Sequence, residues 1–289
     1  MSSLVSALAA VLPVLADVEL VPSNVFAEVS KEPYFDLREA TLLLSYDAIS
    51  KIYQEATEKL ASSDLDSHYS SISLLLLING ENASLWAALR RSFSPARLPS
   101  DLVLSRLVLK LHRKASCAWD YRLFLMSQGG FAHPREIELI GEIVERESQH
   151  YHAWTYRLLV MRRYLGQRER EEEWARGWQF CEAHIRDSSA WHYIGTLAVD
   201  LQQETQAVER LKALLEVYFA SEGLYPAHIS FGLESMVHLL LRMHCSARWI
   251  ADFLGRAQRP LPPSLVAAIK QTSADFYPCG RQSRVPSTP

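Results

Sequence analysis

The sequence predicts an all-α fold: an alpha-alpha superhelix, a TPR-like solenoid of helical hairpins with a crescent shape. Three observations carry that prediction. Apolar residues recur at helical spacing in almost every segment; Leu104, Leu107, Val108 and Leu111, for example, fall at i, i+3, i+4 and i+7, one face of a 3.6-residue helix. No segment keeps up the apolar–polar alternation of a half-buried strand. Finally, Ala118–Met126 (AWDYRLFLM) and Ala153–Met161 (AWTYRLLVM) agree at six of nine positions, the mark of an internal repeat.

The elements follow in order. Leu4, Leu8, Val11 and Leu15 keep helical spacing, and the first cation is Lys31. Because a signal peptide opens on basic residues, the stretch reads as a buried amphipathic helix. Residues 1–70 form an N-terminal helical cap. The apolar run Ile72–Ile78 is far shorter than the roughly 20 residues that cross a bilayer. From 71 to 245 the chain is repetitive. Ser100 is placed to cap one helix and Pro134 to sit in the first turn of the next. Trp86, Trp119, Trp154 and Trp191 stand 33, 35 and 37 residues apart, and each interval holds two amphipathic helices. A weaker unit follows, with helices over Thr205–Ser221 and Ala227–Arg242. Helices over 246–277 close the array, and 278–289, rich in Pro, Ser and Arg, reads as a disordered tail. A hairpin of about 35 residues cannot bury its own apolar face, so neighbours must stack.

Composition narrows the function. With 30 Lys and Arg against 33 Asp and Glu, no global basic field draws in nucleic acid or an anionic membrane. Cys117, Cys181, Cys245 and Cys279 form no C-x-x-C pair, so they read as reduced thiols of a soluble, cytoplasmic protein, with no metal site in this chain. No phosphate loop, nucleophile elbow or metal motif is present in the sequence.

Within each second helix, Trp119, Leu123 and Met126 share a face, as do Trp154, Leu158 and Met161, which makes a core stripe. Arg122 and Arg157 lie beside the tryptophans. Their guanidinium groups are expected along the Trp ring or on carbonyl oxygens of a neighbouring repeat. The acids of the first helices (Glu136, Glu138, Glu142, Glu145, Glu147, Glu169 and Glu171–Glu173) read as solvated faces.

A helical hairpin of this length whose second helix opens on A-W-x-x-R resembles the repeat of protein prenyltransferase alpha subunits. His112–Trp119 (HRKASCAW) and Tyr151–Arg157 (YHAWTYR) carry the likeness, which covers about Ser70 to Arg242. With the divergent Trp191 copy and Val18–Pro22 (VELVP), the chain looks closer to the prenyltransferase alpha-subunit repeat-containing branch. The resemblance implies a partner, a beta subunit built as an alpha/alpha barrel that holds zinc and the isoprenoid cavity, with this chain active only in that heterodimer. An isoprenoid diphosphate would be the co-substrate and a cysteine-bearing protein the acceptor, geranylgeranyl being preferred to farnesyl. It also implies a catalytic set of Lys114, five residues before Trp119, with Tyr151 and His152. Ser116 and His150 depart from the family, which often has Tyr and Asn there. The starts of the two second helices, with free N–H groups, are expected to help hold the anion. The rival expectation is a non-catalytic TPR-like scaffold that binds protein partners.

Overall fold

The computed structural model describes residues 3–31, 33–61, 65–129 and 133–220, together with 235–237, 239, 240 and 243. The C-terminal helices expected over 246–277, the tail, Cys245, Cys279 and most of Ala227–Arg242 lie outside the described residues. The chain divides into two compact units, Met1–Val160 and Met161–Pro289.

The first unit opens on α1 (Leu4–Val11), which buries Leu4, Val5 and Leu8 as the spacing predicted. A 3-10 turn over Leu12–Val14 takes up Pro13. The segment then departs from the purely helical cap expected for 1–70. Strands β1 (Asp17–Val21), β2 (Phe35–Arg38) and β3 (Thr41–Ser45), with α2 (Ser23–Val29) between the first two, form a sheet of order β1-β3-β2. β1 runs parallel to β3 and β2 antiparallel to it. The strands escape a periodicity search for a physical reason. β3 is central and buried from Leu42 to Ser45, so it reads as a continuous apolar run, and its neighbours are only four or five residues long. Glu39, at φ 54°, takes the left-handed conformation that closes the β2–β3 turn.

α3 (Tyr46–Leu60) starts where Ser45 Oγ accepts the Ala48 N–H. α4 (Leu65–Ile78) and α5 (Ala83–Arg91) make the first hairpin, α6 (Leu98–Leu111) and α7 (Ser116–Ser127) the second, and α8 (His133–Arg146) and α9 (Tyr151–Tyr164) the third. α6 begins at Leu98 rather than after Ser100, because Pro99 occupies its first turn. First helices pack on first helices, α4 against α6, and second on second, α5 against α7. This is how repeats cover one another's apolar faces.

Two tryptophans of this unit do more than fill space. Trp86 Nε1 donates to the Gly80 carbonyl (2.7 Å) and Trp119 Nε1 to that of Arg113 (2.9 Å). Both acceptors lie six residues earlier, in the interhelix turn. The indole thereby pins the turn to the second helix and satisfies a buried carbonyl. Gly80 is required by close approach, since a Cβ there would stand 2.8 Å from Val108 Cγ1.

The arginines meet carbonyl oxygens of their own hairpin rather than of a neighbouring repeat, only Arg157 is seen over its Trp ring, and the main partner of Arg122 was not foreseen. Arg122 Nη1 donates to the Leu102 carbonyl (3.0 Å), and the Arg157 guanidinium lies over the Trp154 ring at 5.7 Å. The stronger contact of Arg122 is bidentate to Glu136: Nε to Oε2 and Nη2 to Oε1, each 2.6 Å. Tyr156 adds its hydroxyl to the same carboxylate at 2.9 Å. Glu136, 4% exposed, is therefore no part of a solvated face. It sits in the first turn of α8 and ties together α7 and α9. Burial alone would depress the Arg122 pKa, yet Glu136 beside it holds it above the usual range.

The preceding repeat solves the same problem with other residues. Buried Asp101 accepts from Tyr121 (2.7 Å) and Tyr69 (2.9 Å). Leu89 stands where the repeat would place its arginine, and Arg97 supplies the cation, 3.2 Å from Asp101 and 2.7 Å from the Leu89 carbonyl. Burial, then Asp101, pushes both tyrosine hydroxyls up.

The second unit contains α10 (Gln167–Ala183), α11 (Ser188–Asp200) and α12 (Glu204–Ala220). The same devices recur. Trp191 Nε1 donates to the Ile185 carbonyl (2.9 Å), again six residues back, and Tyr193 donates to Glu173 (2.9 Å). Glu173 too is buried rather than solvated. Ile194 replaces the arginine of this copy, and its side chain fills the space over Gly177, where a Cβ would come within 2.3 Å of Ile194 Cδ1.

Candidate functional site

The interhelix turns of the first unit form a row, each bonded to the one before. His112 Nε2 donates to the Leu77 carbonyl (2.8 Å), joining the second turn to the end of α4. His150 Nε2 donates to the Arg113 carbonyl (2.6 Å), joining the third turn to the second. Lys114 Nζ lies 2.9 Å from Glu147 Oε1 across the same gap. Lys114, Tyr151 and His152 thus stand on adjacent turns at one edge of the hairpins.

Their local settings differ. The Lys114 side chain is 65% exposed. Its ammonium, hydrogen-bonded to Glu147, holds that carboxyl below the usual range, and Arg113 Nη1 lies 3.7 Å from the other Glu147 oxygen. An ion pair this exposed contributes about 0–1 kcal/mol, so Lys114 can exchange Glu147 for a more highly charged anion at little cost. Tyr151 is 59% exposed. It meets the His152 ring edge-to-face, with centroids 5.7 Å apart.

The helix starts behave differently from the sequence expectation. Glu81, in the turn before α5, reaches the start of α7: Oε1 accepts the Ser116 N–H (2.7 Å), and Oε2 the Ser116 hydroxyl (3.1 Å) and the Cys117 N–H (3.4 Å). Burial would raise the Glu81 pKa, but these donors bring it down. Ala115 occupies the cap position and has no side-chain acceptor, so the previous repeat supplies one. A carboxylate already fills the place where the anion was expected, and the positive end of α7 is spoken for. Any diphosphate held here rests on the side chains of the row, not on the α7 N-terminus. The same carboxylate, after burial, raises the Cys117 pKa and keeps the thiol protonated.

His150 explains one departure from the family pattern. Asn82 and Asp187, each four residues before a repeat tryptophan, cap α5 and α11. His150 holds that position for α9, its Nδ1 accepting the Ala153 N–H at 3.2 Å. The acceptor role at Nδ1 leaves the proton on Nε2, which makes the bond to Arg113. Imidazole here does the work of a cap and ties two turns as well. Burial lowers its pKa below the ordinary 6.5, so the unfolded chain binds the proton more readily. Stability from this group is therefore present above about pH 6.5 and is lost as pH falls through that value and then the lower folded one. We expect the chain to lose about 1 kcal/mol more than His150→Asn, which keeps the cap, between roughly pH 7 and 5. Denaturant unfolding at the two pH values checks this, and identical losses would exclude His150 as the source.

Sequence reasoning missed Glu81 and read Glu147 as part of a solvated face. Both are acids just past the end of a first helix, and only packing shows which turn they face. Among the described residues no cluster of His, Cys, Asp or Glu could hold a metal ion, and no helix is long and apolar enough to cross a membrane. Residues 133–164 match the family model of the protein prenyltransferase alpha subunit repeat, a stretch that coincides with the α8–α9 hairpin. The match supports the alpha-subunit family. No curated protein matches the chain.

Proposed function

We propose that this chain is the alpha subunit of a heterodimeric protein prenyltransferase, transferring a geranylgeranyl group in preference to farnesyl onto a cysteine of a protein substrate. The observation that carries the reading is the row of turns. Two contacts on it support the reading: Lys114 pairs with Glu147, and His150, next in the chain to Tyr151, bonds the Arg113 carbonyl, at the hairpin that matches the family repeat. As the carbon–oxygen bond of an isoprenoid diphosphate breaks, charge grows on the leaving group. A positioned cation and hydrogen-bond donors lower that barrier. Lys114 would supply the cation, and Tyr151 with His152 the donors. A beta subunit would hold the zinc, which binds the acceptor cysteine as a thiolate, and the isoprenoid cavity.

The rival reading is a non-catalytic scaffold. It is favoured by two details: Lys114 is already ion-paired with Glu147, and Glu81 fills the start of α7. One experiment separates the two. The chain is co-expressed with each prenyltransferase beta subunit of its own organism, and purified pairs are tested for transfer of labelled isoprenoid to protein. Zinc-dependent transfer by a one-to-one complex is the expected result. A well-folded chain that binds no beta subunit and supports no transfer would establish the scaffold.

A further inference from the structure

Glu147, just past the end of α8, is shared between two cations of the preceding turn, one on each carboxylate oxygen. Lys114 Nζ lies 2.9 Å from Oε1, and Arg113 Nη1 lies 3.7 Å from Oε2. The two cations are held unequally. The Lys114 side chain is 65% exposed and that of Arg113 only 33%. The Arg113 backbone is fixed as well, since its carbonyl takes part in bonds to the Trp119 indole N–H (2.9 Å) and to His150 Nε2 (2.6 Å). Lys114 most strongly, then His150 and Arg113, draw the Glu147 carboxyl toward its ionised form.

An anion that reaches Lys114 must displace a carboxylate attached to the same chain, which competes at a high local concentration. The exchange strands no charge, because Arg113 remains on Oε2 when Lys114 leaves Oε1. Lys114 is suited to leaving: its ammonium sits on a flexible four-carbon stem, whereas a guanidinium is a rigid fork. The gain on exchange grows with the product of the charges. A singly charged anion gains nothing over Glu147, while a diphosphate, with several charges, offsets the loss of the ion pair.

We propose that Glu147 is a built-in competitor for Lys114: a positioning residue that holds the ammonium between turnovers, weakens diphosphate binding, and passes to Arg113 when diphosphate takes its place. This rests on Lys114 being the cation of the diphosphate site. The same competition acts on inorganic diphosphate, the leaving product, and so favours its release.

Inorganic diphosphate is therefore the probe, titrated calorimetrically into the full chain at low ionic strength. Glu147→Gln removes the charge and keeps the shape. It is expected to bind diphosphate about fivefold more tightly, the upper value for an exposed ion pair, with an unchanged melting temperature. Structural damage would not tighten binding. The gain should vanish when Glu147→Gln is made in a Lys114→Ala chain, because the competition acts through the ammonium. In the reconstituted heterodimer the variant should lower KM for the isoprenoid diphosphate by a similar factor and leave kcat unchanged, since Lys114 is on Glu147 only in the free enzyme. Equal or weaker binding by Glu147→Gln would overturn the proposal. So would a gain that persists without Lys114, an unchanged KM in an active heterodimer, or no saturable binding to either chain. A calorimetric gain beside a heterodimer that transfers no isoprenoid would leave Glu147 as the competitor at an anion site and remove the prenyl transfer reading instead.

Discussion

Replacing Lys114 by alanine is expected to slow single-turnover isoprenoid transfer by the reconstituted heterodimer roughly 10²–10³-fold, the usual loss when a preorganised group on a developing anion is removed. Chain stability should barely change. The side chain is 65% exposed, and its pair with Glu147 contributes about 0–1 kcal/mol. That separation makes the test informative: a slowed reaction with an unchanged melting temperature identifies chemistry rather than folding. Binding of the isoprenoid diphosphate should weaken much less than the rate falls, because charge on the leaving group peaks in the transition state. A variant that transfers at the wild-type rate would remove Lys114 from the mechanism.

The largest stability effect is expected at Glu136. Its carboxylate accepts two hydrogen bonds from Arg122 and one from Tyr156, all in the interior. Glu136→Ala leaves the Arg122 guanidinium, 3% exposed, without its counter-charge, and breaking one side of a buried pair costs about 3–5 kcal/mol. Removing both partners is a different experiment. Arg122→Met with Glu136→Leu exchanges the pair for apolar side chains of similar size and should recover most of the loss, since two desolvated charges are replaced by packing. Thermal and denaturant unfolding of the two single variants and the double variant provide the cycle. If Glu136→Ala melted with the wild type, the buried network would not be holding α7, α8 and α9 together.

These two residues mark the boundary between what reads from sequence and what does not. Lys114 was named through the resemblance, which implies a lysine five residues before a repeat tryptophan, a spacing that needs no tertiary information. Glu136 was misread as solvated because acids crowd α8 and nothing local distinguishes the one that turns inward. A signal did exist. Asp101 and Tyr121, Glu136 and Tyr156, Glu173 and Tyr193 are each 20 residues apart, so a register of the repeats by their tyrosines would have exposed the acid. The role of His150 was hidden differently: a cap is defined by an acceptor atom facing a free N–H, and imidazole is a rare choice for that work. The short strands escaped because β3 is buried on both faces and its partners are too short to alternate.

By itself the sequence determined the helical hairpin repeat and the core position of the tryptophans, while the candidates Lys114, Tyr151 and His152 came from the resemblance. Helical periodicity and repeat length are properties of neighbours in the chain, and they survive without knowledge of the fold. Only the tertiary structure decided which acids are buried, that Glu81 occupies the start of α7, that Glu147 holds Lys114, and that Leu15–Asp17 touches α6. Each of those is a contact between residues from about 14 to 93 positions apart, and the energy that selects it comes from desolvation and charge pairing at a distance the sequence does not record.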